Sequence, residues 1–91
     1  MEIKIEIKKA SYTHGVASLL GEQVNYLVNE FIYLHSLGNW GDVSDLDKKS
    51  NDESLLEKGM VLSKFYFNGR AIFVITDYGH ETTTVLLPSE Y

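Results

Sequence analysis

Three histidines, a lone tryptophan and a run of acids are the residues in this chain whose types and spacing could do chemistry. His35 stands seven residues ahead of Asp42. An imidazole and a carboxylate brought together could shuttle a proton or hold a ligand. The plainer reading is a packed histidine whose ring nitrogen bonds a carbonyl or carboxylate near a helix end. A lone imidazole such as His35, with no nucleophile or second ligand nearby, is a weak site signal, and His80 falls in a loop tip where no chemical role is expected. Trp40 lies in the glycine-flanked stretch Asn39-Trp-Gly-Asp-Val43. It either closes the edge of the core, with its indole N–H bonded, or stands out as an interface anchor. Asp42, Asp45, Asp47, Asp52, Glu53 and Glu57 fall within sixteen residues, against Lys48, Lys49 and Lys58. They read either as a solvated helix face with ion pairs such as Lys48 to Asp52, or as an acidic surface shaped for a basic protein groove.

Signatures of better-defined chemistry fail. There is no G-x-x-x-x-G-K-[ST], no G-x-G-x-x-G, no H-E-x-x-H and no G-x-S-x-G. Asp45-Leu-Asp47 begins like a calcium loop, but Lys49 falls on the next ligand position and the required glycine is missing. Cysteine is absent, which excludes disulfides and thiolate metal sites. No cofactor and no metal are expected, and the reading is of a non-enzyme. The net charge of −5, from thirteen acidic and eight basic residues, argues against direct nucleic-acid binding and suits a basic protein partner. No apolar run approaches the roughly 20 residues that span a bilayer, and the charged, alternating start is unlike a signal peptide, so a soluble cytoplasmic protein without membrane contact is expected.

The 91 residues suit a single domain, residues 1–91, organised around Gly59 to Pro88. Met60–Phe67 and Arg70–Thr76 are rich in β-branched and aromatic residues and are joined by Asn68-Gly69, the preferred tight hairpin turn. That turn pairs Phe67 with Arg70, Phe65 with Ile72, Ser63 with Val74, Tyr66 with Ala71, Lys64 with Phe73 and Leu62 with Ile75. A second turn, Asp77–Glu81, leads to a third strand over 82–87, ended by Pro88. A five-residue loop there places Thr83, Val85 and Leu87 on the face of Leu62, Tyr66, Phe73 and Ile75. It places Thr82, Thr84 and Leu86 with Val61, Phe65, Phe67, Ile72 and Val74. A slip of one residue exchanges the two sets.

Ahead of the meander, Glu2–Lys8 alternates isoleucine with charge and reads as a half-buried strand joining the sheet or lying close to it. Ala10–Gly15 reads as a loop, with Thr13 capping a short helix His14–Leu20. Gly21 interrupts, and Val24, Leu27, Val28, Phe31, Leu34 and His35 set the apolar stripe of a helix over Glu22–Leu37, stopped near Gly38. Ser44 caps a charged helix between Asp45 and Lys58, with Leu46, Leu55 and Leu56 as its apolar anchors and Gly59 at a left-handed terminus. The expected fold is α+β: an antiparallel β-meander of three strands plus an amino-terminal strand, packed against two or three helices, in the order β-α-α-β-β-β.

From His35 onward, about two-thirds of the chain, the sequence resembles a family of small proteins from bacterial plasmids, prophages and related mobile elements. The resembling residues are H-S-L-G-N-W-G-D at 35–42, Asn51, Leu62-Ser63, Tyr66, V-I-T at 74–76 and T-T-V-L-L-P-S-E-Y at 83–91. The family pattern reads H-x-x-G-D-W-G-D, then L-S-x-Y, I-T-E and T-T-V-L-L-P-x-E-Y. Asn39 and Asp77 depart from it, each standing where the family has an acid or a glutamate. Members are often labelled with restriction systems, which implies an accessory or counter-defence role of the antirestriction or anti-CRISPR kind. The leading expectation is a protein-binding inhibitor that engages its partner through Trp40, Asp42, Asp45, Asp47, Asp52 and Glu53. The alternative is a homodimeric accessory protein that pairs the face of Phe65, Phe67, Ile72 and Val74. An enzyme using His35 and Asp42 ranks last.

Overall fold

The computed structural model describes residues 2–91. Its elements are β1 (Lys9–Tyr12), α1 (His14–Leu20), α2 (Val24–Ser36), α3 (Asp45–Glu57), β2 (Val61–Phe67), β3 (Arg70–Thr76) and β4 (Thr82–Leu86). Short 3-10 turns cover Gly21–Gln23, Tyr78–His80 and Pro88–Glu90. The α+β architecture read from the sequence holds, with one sheet in the strand order β1-β4-β3-β2. β2, β3 and β4 form the antiparallel meander, while β1 runs parallel to β4, so the sheet is mixed.

The first hairpin follows its turn chemistry. Asn68 and Gly69 take φ of 48° and 77°, and the twist of such a turn matches that of paired strands. All six predicted cross-strand pairs form, from Phe67 with Arg70 to Leu62 with Ile75.

The second turn differs. Asp77 N–H donates to Thr82 C=O at 3.0 Å, so the ladder continues one step further than expected and only residues 78–81 make the tip. Gly79 and His80, both at positive φ, let the chain reverse that tightly. The register becomes Thr76 with Thr83, Val74 with Val85, Ile75 with Thr84 and Phe73 with Leu86. The expected third-strand faces are therefore exchanged. Thr83 and Val85 join Ser63, Ile72 and Val74, and Leu87 packs against the same core. Thr84 and Leu86 join Leu62, Phe73 and Ile75.

The amino-terminal strand also moves. Glu2–Lys8 is irregular, and the strand is Lys9–Tyr12, of which Ala10–Tyr12 fell in the expected loop. Lys4 and Ile5 both direct their N–H to Ser36 C=O at the end of α2, which holds the segment away from the sheet. Ile5 is buried beside Trp40 and Val61, whereas Ile3 is exposed. The alternation thus supplies one deep anchor, and the edge of β4 goes to the next residues along.

α1 is capped as expected, Val16 N–H donating to Thr13 Oγ1 at 3.2 Å. α2 starts and stops slightly inside its expected bounds, and Gly38 at φ 80° turns the chain away. Together α1 and α2 cover one sheet face, burying Val16, Leu20, Val28 and Phe31 against Ile72, Val74 and Val85. The other face is crossed by the carboxy-terminal turn: the Tyr91 ring meets Phe73 edge-on at 6.1 Å and its hydroxyl reaches Met60 Sδ. α3 is capped by Ser44, whose Oγ accepts from Asp47 N–H. It ends with Lys58, not Gly59, in the left-handed conformation (φ 53°). Of its expected anchors only Leu55 packs, against the small cluster of Ile5, Trp40 and Val61; Leu46 and Leu56 are 77% and 90% exposed.

Candidate functional site

His35 ends fully buried beneath the sheet because it continues the stripe of α2 one turn past Phe31. Its Nδ1 shares a hydrogen bond with Ser63 Oγ at 2.6 Å, and its Nε2 with Thr76 Oγ1 at 2.9 Å. Thr76 in turn bonds Thr83 Oγ1 at 2.7 Å. A neutral imidazole has one donor and one acceptor nitrogen, so the chain has a single direction: Ser63 accepts while Thr76 donates, or the reverse. Burial, with a smaller push from the charge of His80, lowers His35 from its ordinary 6.5 to about 4. At neutral pH the ring is uncharged, which suits a core position.

This arrangement corrects the pairing of His35 with Asp42. The Asp42 carboxylate accepts from Tyr66 O–H at 2.7 Å on the surface. Both His35 nitrogens are taken by hydroxyls, with no path to solvent. The plain alternative, a packed histidine, describes its place, except that its partners are hydroxyls from two strands, Ser63 on β2 and Thr76 on β3, rather than a carbonyl or carboxylate near the helix end.

Trp40 is likewise buried, at 5% exposure, so it is not a projecting anchor. Its ring meets His35 edge-on at 5.7 Å, and its indole N–H donates to Asp52 Oδ1 at 3.2 Å. Asp52 thereby braces the tryptophan from α3. The Trp loop also closes on β2: Lys64 N–H donates to Trp40 C=O, and Asp42 N–H donates to Lys64 C=O. Gly41 sits between them, where a Cβ would fall 2.1 Å from Lys64 O. Asn51, buried on α3, completes this seam. Its amide donates to Leu62 C=O at 2.8 Å and its carbonyl accepts from Leu62 N–H at 3.1 Å.

Phe65, Phe67, Ile72 and Val74, the expected dimer face, lie under α1 and α2, with Phe65 stacked on Phe31 at 5.3 Å. A second copy cannot reach them in this fold. Asp45, Asp47 and Glu53 are exposed on α3, as are Leu46 and Leu56, whereas Asp52 turns its carboxylate to the Trp40 indole. A shallow open groove there is lined by Leu46, Asp47, Lys49, Ser50 and Glu53.

Sequence reasoning passed over Ser63, Thr76, Thr83 and Asn51 as partners. The available signal was Ser63 and Thr76 sitting among Val61, Phe65, Ile72 and Val74 on an otherwise apolar face, since buried hydroxyls need partners. Among the described residues no group of histidine, aspartate or glutamate is placed to hold a metal. No helix among them is long and apolar enough to cross a membrane. Comparison with protein-family models, with curated proteins and with solved structures returned no match.

Proposed function

We propose that the chain is a non-enzymatic binding protein of a mobile element, a counter-defence inhibitor that acts in the cytoplasm by placing the acidic side of α3 in a basic groove of a protein partner. The observation that carries this reading is how little of α3 the fold uses. Asn51 and Leu55 attach the helix, and Asp45, Asp47, Glu53 and Glu57 remain in solvent with two exposed leucines among them. Acids give steering and orientation at an interface, and leucines give the apolar contact that holds it. The resemblance of the Trp loop and the carboxy-terminal block to mobile-element proteins supplies the setting. Trp40 and Asp52 serve as the brace that fixes the helix against the sheet, not as contacts.

The test is capture of protein partners from a host lysate by the wild type and by the double variant Asp47→Lys/Glu53→Lys. Both positions are exposed, so the variant keeps its fold. A discrete partner should be retained at low salt and weakened at least about tenfold by the charge reversal. Equal retention by the variant, or nothing retained by the wild type, ends the reading.

A further inference from the structure

The two edges of the sheet are finished differently. At β2, Asn51 takes both backbone groups of Leu62, and the Trp loop takes both of Lys64. β1 has no such cover among the described residues, and all four of its residues are exposed. Lys9 and Thr13 donate their N–H groups to Glu81 and Val85 C=O, so the odd-numbered residues turn toward β4. By strand alternation Ala10 and Tyr12 direct their N–H and C=O groups outward. No proline, glycine or break of register interrupts this edge.

We propose that the β1 edge is a homodimer interface, in which β1 pairs antiparallel with β1 of a second copy about a two-fold axis at Ser11. The two four-stranded sheets then become one continuous sheet. This register sets Ala10 opposite Tyr12 of the second copy, twice. Those are the residues whose backbone groups point outward, so each exposed donor meets an exposed acceptor. Lysines commonly guard a sheet edge. Here Lys8 is held by Glu81 at 2.8 Å, and Lys9 faces Thr13 of the second copy, so no cation opposes a cation. A foreign strand would need pockets along β1 to be selected, and four exposed side chains provide none. The chain's own edge is self-complementary and needs none. Because a two-fold contact is closed, and the outward groups of Leu62 and Lys64 on β2 are already taken in both copies, association stops at two and does not continue into a filament. The inference is independent of the acidic side of α3, which belongs to another element.

A four-residue ladder is a small interface, so the dimer is weak. Sedimentation and amide hydrogen exchange from about 10 µM to about 1 mM cover the range in which such a contact associates. The mass should double toward the upper end. The Ala10 and Tyr12 amides should gain at least about tenfold protection there, while Ser11, bonded to β4, is protected throughout. Ala10→Pro removes an outward donor and leaves the ladder to β4, so it should stay monomeric with an unchanged far-UV spectrum. A mass that never rises, a mass beyond two copies, a dimer without gained protection at Ala10 and Tyr12, or a dimer that persists in a folded Ala10→Pro overturns the proposal. If Ala10→Pro does not fold, the wild-type exchange at the two concentrations decides alone.

Discussion

At the scale of single residues, the chain concentrates its buried polar groups where elements meet, and each is satisfied. His35 ties α2 to β2 and β3 through Ser63 and Thr76, and Thr83 extends the link to β4. No buried side-chain nitrogen or oxygen among the described residues lacks a partner. This has a pH consequence with a definite sign. His35 titrates at about 4 in the fold against 6.5 in a model peptide, so between these values the unfolded chain binds the extra proton. Stability from this group is complete above pH 6.5 and is lost as pH falls toward 4, by up to roughly 3 kcal/mol. Urea unfolding followed across that range should show the loss, and His35→Gln should flatten it while lowering stability at pH 7. A wild-type stability that stays level from pH 7 to 4 would contradict this placement of the ring.

At the scale of elements, the seam between the Trp loop, α3 and β2 decides where α3 sits. Gly41→Ala puts a methyl group 2.1 Å from Lys64 O at a residue with φ of 72°. The loop must leave the strand, and the expected cost is about 3 kcal/mol, read as a lowered midpoint in denaturant. α3 itself makes a contrast within one helix. Leu55→Ala removes a partly buried side chain and should cost about 1–2 kcal/mol. Leu46→Ala and Leu56→Ala should each change stability by less than about 0.5 kcal/mol, because both are exposed. Equal losses at the three leucines would mean that α3 is packed on its other side. The starts of α1 and α3 and the first hairpin turn were legible because caps and tight turns are local chemistry: Thr13, Ser44 and Asn68-Gly69 act within a few residues of themselves. Which leucines pack was not legible, because α3 has no sustained apolar stripe and is attached through the side chain of Asn51.

At the scale of the whole molecule, the carboxy terminus acts as a clasp. Glu90 accepts from Thr13 O–H at 2.6 Å and from Leu87 N–H at 2.8 Å. These bonds, the Thr13 hydroxyl first, hold its carboxyl below its usual value. Glu90 thus joins the end of the chain to the start of α1, while Tyr91 lies on Phe73. Deleting Pro88–Tyr91 should lower the thermal midpoint and raise binding of a hydrophobic dye, since Phe73 and its neighbours lose their cover. An unchanged midpoint would show the clasp to be passive. Residues far apart in the chain meet in this framework. His35, Ser63, Thr76 and Thr83 form the buried chain, Gly41 and Asn51 the seam, and Glu90 the clasp. These residues hold the fold, and they leave the acidic residues of α3 and the outer edge of β1 exposed. By itself the sequence determined the α+β class, the first hairpin with its register, the helix caps and the absence of recognisable catalytic motifs, all of which rest on short-range chemistry. Only the tertiary structure decided which amino-terminal stretch becomes a strand, which face β4 presents, and that Trp40 and His35 turn inward. The strand and the two inward side chains depend on hydrogen-bond partners in other elements, and periodicity carries no record of who those partners are. The face of β4 turned on one residue of loop length, which the composition of the second turn does not fix.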